Sequence, residues 1–128
     1  MRLERYFGRI QDVLYARGGI EVELLTVHEI VPDQEIVIHG RLRFWDHSLL
    51  EFVEHLVERQ LMAVKTNYVY HYQAADNQLI FRYDNTPHHP EISSHPHHKH
   101  TDTNIQAANP PHLNDVLREI NTRLYPAE

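Results

Sequence analysis

Six histidines fall within thirteen residues, at His88, His89, His95, His97, His98 and His100. An imidazole exchanges protons near neutral pH and also serves as a metal ligand, so such a cluster points to chemistry. Arg82, Asp84 and Asn85 lie just upstream, Lys99 lies among the histidines, and Tyr70 and Tyr72 belong to the preceding segment. These residue types suffice for cutting an RNA phosphodiester. One group must take the proton of the ribose 2′-hydroxyl, one must protonate the leaving oxygen, and a cation must meet the charge on phosphorus.

Two other readings stand beside that one. A long polar segment can be a solvated loop with no chemistry, although these histidines are internal and interrupted by Pro, Glu, Ser and Lys, unlike a tag. Two or three of the rings could instead converge on zinc or a similar ion. Adjacent His88 and His89 point to opposite sides if the chain is extended, and Glu91 is the nearest carboxylate, at no familiar ligand spacing.

The elements that must position these groups follow from hydrophobic period. Leu3, Tyr6, Phe7, Ile10 and Leu14 recur at helical spacing, and Gly18-Gly19 ends a helix read over Arg2–Arg17. From Ile20 the period falls to two, with Ile20, Val22 and Leu24 on one face of a strand. Pro32-Asp33-Gln34 turns the chain into a second strand carrying Ile36, Ile38, Gly40, Leu42 and Phe44, and Asp46-His47-Ser48 turns it again. The next stretch, SLLEFVEHLVERQL, fits a helix with Ser48 and Glu51 as a capping box, or a strand with Leu50, Phe52, Glu54 and Leu56 on one face. As a strand it sets the Glu54 carboxylate among apolar neighbours, where it needs a partner such as Arg82 or a histidine.

A hairpin follows. Tyr68, Tyr70 and Tyr72 share one face, Ala75-Asp76-Asn77 turns, and Leu79, Phe81 and Tyr83 return. Asn85 to Pro110 holds four of the seven prolines and little apolar content, so a long irregular segment is expected. Pro110-Pro111, with Asn109 as cap, opens a last helix whose stripe is Leu113, Val116, Leu117, Ile120 and Leu124. His28, His39, His47, His55 and His71 show no grouping and read as surface residues.

With 128 residues and 41% apolar content, the chain fits one globular domain spanning residues 1–128. It has no cysteine, which excludes disulfides, thiolate metal sites and thiol nucleophiles. No stretch approaches the roughly 20 apolar residues of a membrane span, and the N-terminal residues alternate charged and apolar types. A cytoplasmic protein without a membrane partner is the expectation. A net charge of −6 argues against a broad surface for nucleic-acid backbone, with local groups left to decide.

The segment from Tyr70 to His100, YHYQAADNQLIFRYDNTPHHPEISSHPHHKH, resembles the TumE-type toxins of toxin–antitoxin modules. The family pattern is an arm YxYQ, then LIFRYDNxPHH, then PHHKH. It is matched here at Tyr70, Tyr72, Gln73, Leu79 to Asn85, Pro87, His88, His89 and Pro96 to His100. His95 stands where the pattern has an aromatic residue. LNDVLREI resembles the family's C-terminal segment, and the resemblance also selects the strand reading around Glu54.

With that strand the element order is α-β-β-β-β-β-α, from which an α+β fold follows, an antiparallel five-stranded meander sheet flanked by an N-terminal and a C-terminal helix. The resemblance implies a cytoplasmic toxin masked by a cognate antitoxin protein, of a kind that often acts as a dimer, with RNA as the expected substrate by analogy with toxins of this size. On that footing His88, His89, His98 and His100 are the expected proton-transfer groups, with Arg82 and Lys99 for phosphate. Tyr72 and Glu54 are expected to orient them, and Asp84, Asn85 and Tyr70 to line the substrate. No cofactor is expected. The alternatives are a non-catalytic module that grips a partner through the loop, or an enzyme with zinc or another divalent metal on His88, His89, His98 and His100.

Overall fold

A computed structural model describes residues 2–87 and 91–127. Helix α1 (Arg2–Tyr15) leads into strands β1 (Ile20–Val31), β2 (Glu35–Phe44), β3 (Leu49–Arg59), β4 (Met62–Gln73) and β5 (Leu79–Asp84). Strands β6 (His98–Thr101) and β7 (Ile105–Ala107) follow, and helix α2 (Leu113–Leu124) closes the order. The strands lie side by side in sequence order, each antiparallel to the next. The class is α+β with a helix at each end, as expected. The sheet, however, has seven strands rather than five. The added pair comes from the stretch read as irregular, because β6 and β7 are short and polar and carry no apolar alternation for sequence to register.

Alternation decides which face is covered. Along β2, from Leu50 to Leu56 of β3 and from Tyr68 to Tyr72 of β4, every second residue is buried, including Ile38, Leu42, Phe52 and Tyr70. Directly paired residues share a face, so the pairs Gly40–Phe52–Tyr70–Tyr83 mark this side across four strands. Leu3, Ile10 and Leu14 of α1 and Leu113, Val116, Leu117 and Ile120 of α2 join the same core, so both helices cover one face. No described helix is long and apolar enough to cross a membrane.

The ambiguous stretch is β3, a strand. Its helical capping signal is overridden by non-local partners. The Ser48 hydroxyl bonds Asp46 Oδ1 at 2.5 Å and lies 2.7 Å from the Tyr72 hydroxyl, while Glu51 pairs with His39 and Arg41 across the sheet. Helix α2 starts two residues after Pro110-Pro111, with His112 rather than Asn109 at its cap. The Pro111 carbonyl accepts from Lys65 at 2.7 Å, and the His112 N–H donates to Asp115 at 2.9 Å.

Candidate functional site

The face away from the helices carries the polar groups. In its register His71 of β4 stands opposite Arg82 of β5, and Arg82 stands opposite His100 of β6. The three side chains therefore form a row across three strands, with Arg82 in the middle. Neighbouring strands lie about 4.8 Å apart, so the two imidazoles bracket the guanidinium over roughly 10 Å. Arg82 Nη1 lies 3.4 Å from His71 Nδ1. All three residues are partly exposed.

One row further along, Asp84 stands opposite His98. Both are buried, although they belong to the otherwise open face. The ends of the β5–β6 connection fold back on them. The Thr86 N–H donates to Asp84 Oδ1 at 3.1 Å, and His98 Nδ1 lies 2.8 Å from the Pro96 carbonyl. Asp84 then gathers its neighbours. Its Oδ2 accepts from Arg82 Nε at 2.9 Å, His98 Nε2 lies 2.8 Å from Oδ1, and His100 Nε2 lies 3.9 Å from Oδ2. Burial raises the Asp84 carboxyl, but the hydrogen bonds from Arg82 and Thr86 and the nearby His98 outweigh it and hold the group below the usual carboxylate range.

Among the described residues, the histidines of this segment divide between the two faces of the sheet. His97 turns to the helix side, stacked on Tyr68 with its Nδ1 2.9 Å from the Tyr68 hydroxyl, whereas His98 and His100 share the open face. His95 is exposed. The expected proton-transfer residues His88 and His89 lie outside the described residues.

A family model for the toxin TumE matches residues 12–124. The chain belongs to the TumE toxin family. No curated protein and no solved structure matches it. Membership gives the chain a toxin's role and, in general, an antitoxin as partner.

In this TumE chain several expected site residues lie on the helix side of the sheet. Tyr72 has no exposed surface and bonds Ser48. Glu54 also has none, and its partners are neither Arg82 nor a histidine, contrary to expectation. Tyr6 donates to its Oε1 at 2.5 Å, Tyr70 donates to Oε2, and Lys65 Nζ lies 3.9 Å from Oε2. Tyr70 is fully buried in that network, and burial with the adjacent Glu54 charge drives its phenol well above the usual range. Lys65 is pushed down by burial, partly offset by Glu54.

Lys99 also faces the helices. Its ammonium bonds Glu119 of α2 at 2.8 Å and lies over the Phe81 and Tyr83 rings. Asn85 ties the end of β5 to β4, accepting from the Tyr68 N–H at 3.0 Å and donating to the Thr66 carbonyl at 2.8 Å. His71 was read as an ungrouped surface residue and stands instead beside Arg82. The turn alone gives no signal of this: it pairs Gln73 with Leu79, and a register shift between Gln73 and Tyr72 then sets Tyr72 opposite Phe81 and His71 opposite Arg82.

Proposed function

We propose that this TumE-family toxin cleaves RNA on the open face of its sheet, without a metal, around the row His71–Arg82–His100. The observation that carries this reading is the register that sets an imidazole on each side of one guanidinium. Arg82 takes a phosphate oxygen, for which its planar fork is suited. His100 removes the proton from the ribose 2′-hydroxyl, and the 2′-oxygen attacks phosphorus. The bond to the 5′-oxygen breaks, and His71 supplies the proton to that leaving oxygen. The products are a 2′,3′-cyclic phosphate and a 5′-hydroxyl. The Asp84 carboxylate places an anion 3.9 Å from His100 Nε2, the nitrogen that receives the proton.

Glu54, Tyr70 and Tyr72 act in this scheme through the fold that holds β4 and β5, and Lys99 through its bond to α2. The test is expression of His71→Ala, Arg82→Ala and His100→Ala chains, with His95→Ala as control. Each of the first three should lose growth inhibition and cut RNA on the order of 100-fold more slowly, the smaller end of what a general acid or base contributes. His95→Ala should stay toxic. Purified wild-type toxin that binds RNA or antitoxin yet leaves RNA intact would defeat the proposal in favour of a gripping module.

A further inference from the structure

Asp84, His98 and His100 each offer one ligand atom, and the three atoms lie within 4.8 Å of one another. Strand alternation puts His98 and His100 on one face, and antiparallel pairing puts Asp84 against them. The orientation of His98 is fixed by its contact with Pro96, 2.8 Å from Nδ1. A carbonyl can only accept, so Nδ1 carries the proton, and Nε2 is the lone-pair nitrogen of the neutral ring. A ligating histidine is held in this way, with its second nitrogen donating to a carbonyl.

Nε2 of His98 stands 2.8 Å from Asp84 Oδ1. Two lone-pair atoms that close, both buried, call for positive charge between them. Either a second proton on the ring or a metal ion supplies it. A proton satisfies one pair, whereas an ion also uses His100 Nε2, 3.9 Å from Oδ2. Donors sharing one tetrahedral ion at about 2.0–2.2 Å stand roughly 3.3–3.6 Å apart, so the 2.8 Å pair must open and the wider separations, which reach no further than 4.8 Å, must close. Thr86 and Arg82 hold the carboxylate from other lone pairs.

We infer that Asp84, His98 and His100 form a binding site for a first-row transition dication, zinc foremost, and that its occupation silences the toxin. Two imidazoles and a carboxylate suit zinc, while magnesium and calcium favour sets made only of oxygen. Silencing rests on the role proposed for His100. Its Nε2 lone pair either ligates the ion or accepts the 2′-hydroxyl proton, and it cannot do both.

The test uses full-length protein without a polyhistidine tag, stripped with a chelator and dialysed against zinc, magnesium or cobalt. Wild type should retain one zinc per chain and no magnesium, and cobalt should give the visible bands of a low-coordinate nitrogen–oxygen site. His98→Ala and His100→Ala should each weaken zinc binding by at least the 10–100-fold seen when only an outer partner is lost. His100 is partly exposed, so its variant should fold even if loss of buried His98 disturbs the chain; circular dichroism checks both. His39→Ala and His55→Ala, which remove the surface pairs with Glu51 and Glu35, should bind as wild type does.

Added zinc should stop RNA cleavage by the wild type, and chelation should restore it. A wild type that retains no zinc, or that keeps it equally after either His98→Ala or His100→Ala, overturns the site. Zinc that binds there and speeds cleavage overturns the silencing. Should RNA survive under every condition, the ribonuclease reading falls, and the zinc stoichiometry still decides the site on its own.

Discussion

The Lys65 ammonium lies 3.9 Å from the Glu54 carboxylate, which has no exposed surface. Lys65 also donates to the Tyr70 hydroxyl at 2.6 Å and to the Pro111 carbonyl at 2.7 Å. Tyr6 and Tyr70 complete the carboxylate's set of donors. One buried charge thus ties α1, β3 and β4 together, and its lysine reaches the entry to α2. An unpaired ion there would face the cost of desolvation with nothing to offset it.

Glu54→Ala should therefore cost stability rather than act on chemistry directly. Removing one partner of a buried pair typically costs about 3–5 kcal/mol, because the other charge stays behind. Urea denaturation should show that loss, and Glu54→Ala/Lys65→Met should recover part of it by removing the stranded ammonium. A Glu54→Ala chain with wild-type stability and no toxicity would instead make Glu54 part of the chemistry.

Tyr72→Phe separates a packing role from a catalytic one. The Ser48 hydroxyl donates to the Asp46 carboxylate, so in the 2.7 Å contact the Tyr72 hydroxyl is the donor. The variant leaves Ser48 with Asp46 and keeps the ring against Phe44 and Phe81. A loss of about 1 kcal/mol is expected, the usual net worth of one hydrogen bond. Growth inhibition should be unchanged. Abolished toxicity in a stable Tyr72→Phe chain would return the hydroxyl to the active centre.

These two residues mark how far the sequence could be read. The alternation of β2, β4 and β5 was visible because those strands are apolar on one face and polar on the other. The strand choice for β3 needed family resemblance, since Ser48 and Glu51 mimic a helix start and their true partners lie 24 residues on, at Tyr72, and 12 back, at His39. The segment rich in histidine stands out in the sequence, but its geometry was hidden. Short polar β6 alone decides that His98 and His100 join Asp84 while His97 turns away to Tyr68. Glu54 was recognised as needing a partner; the helix that supplies Tyr6 lies 48 residues away and leaves no local trace.

The buried phenols make the fold sensitive to alkali. Burial, followed by the Asp84 charge, lifts Tyr68 to about 12, and burial also raises Tyr70, Tyr72 and Tyr83. A phenol in the unfolded chain ionises near 10. The folded values are higher, so the neutral phenols' contribution is complete below about pH 10 and declines as pH rises towards 12. Denaturation midpoints should be level up to about pH 10 and fall above it. Tyrosinate absorbance from these four residues should rise together with loss of the fold. Their full ionisation near pH 10 in a chain that is still folded would show that the tyrosine face is open to water.

Gly40 tests the packing of the covered face. It stands opposite Phe52 between β2 and β3, and a methyl group built on it would overlap the Phe52 ring. Phe52 itself has no exposed surface and packs on Tyr70, so the ring has little freedom to retreat. Gly40→Ala should cost about 1–3 kcal/mol, as overpacked cores do, despite the gain in strand propensity. Pairing it with Phe52→Leu should recover part of the loss by clearing the space. Equilibrium denaturation of the single and double variants measures that coupling, and additive effects would mean that the ring moves aside freely.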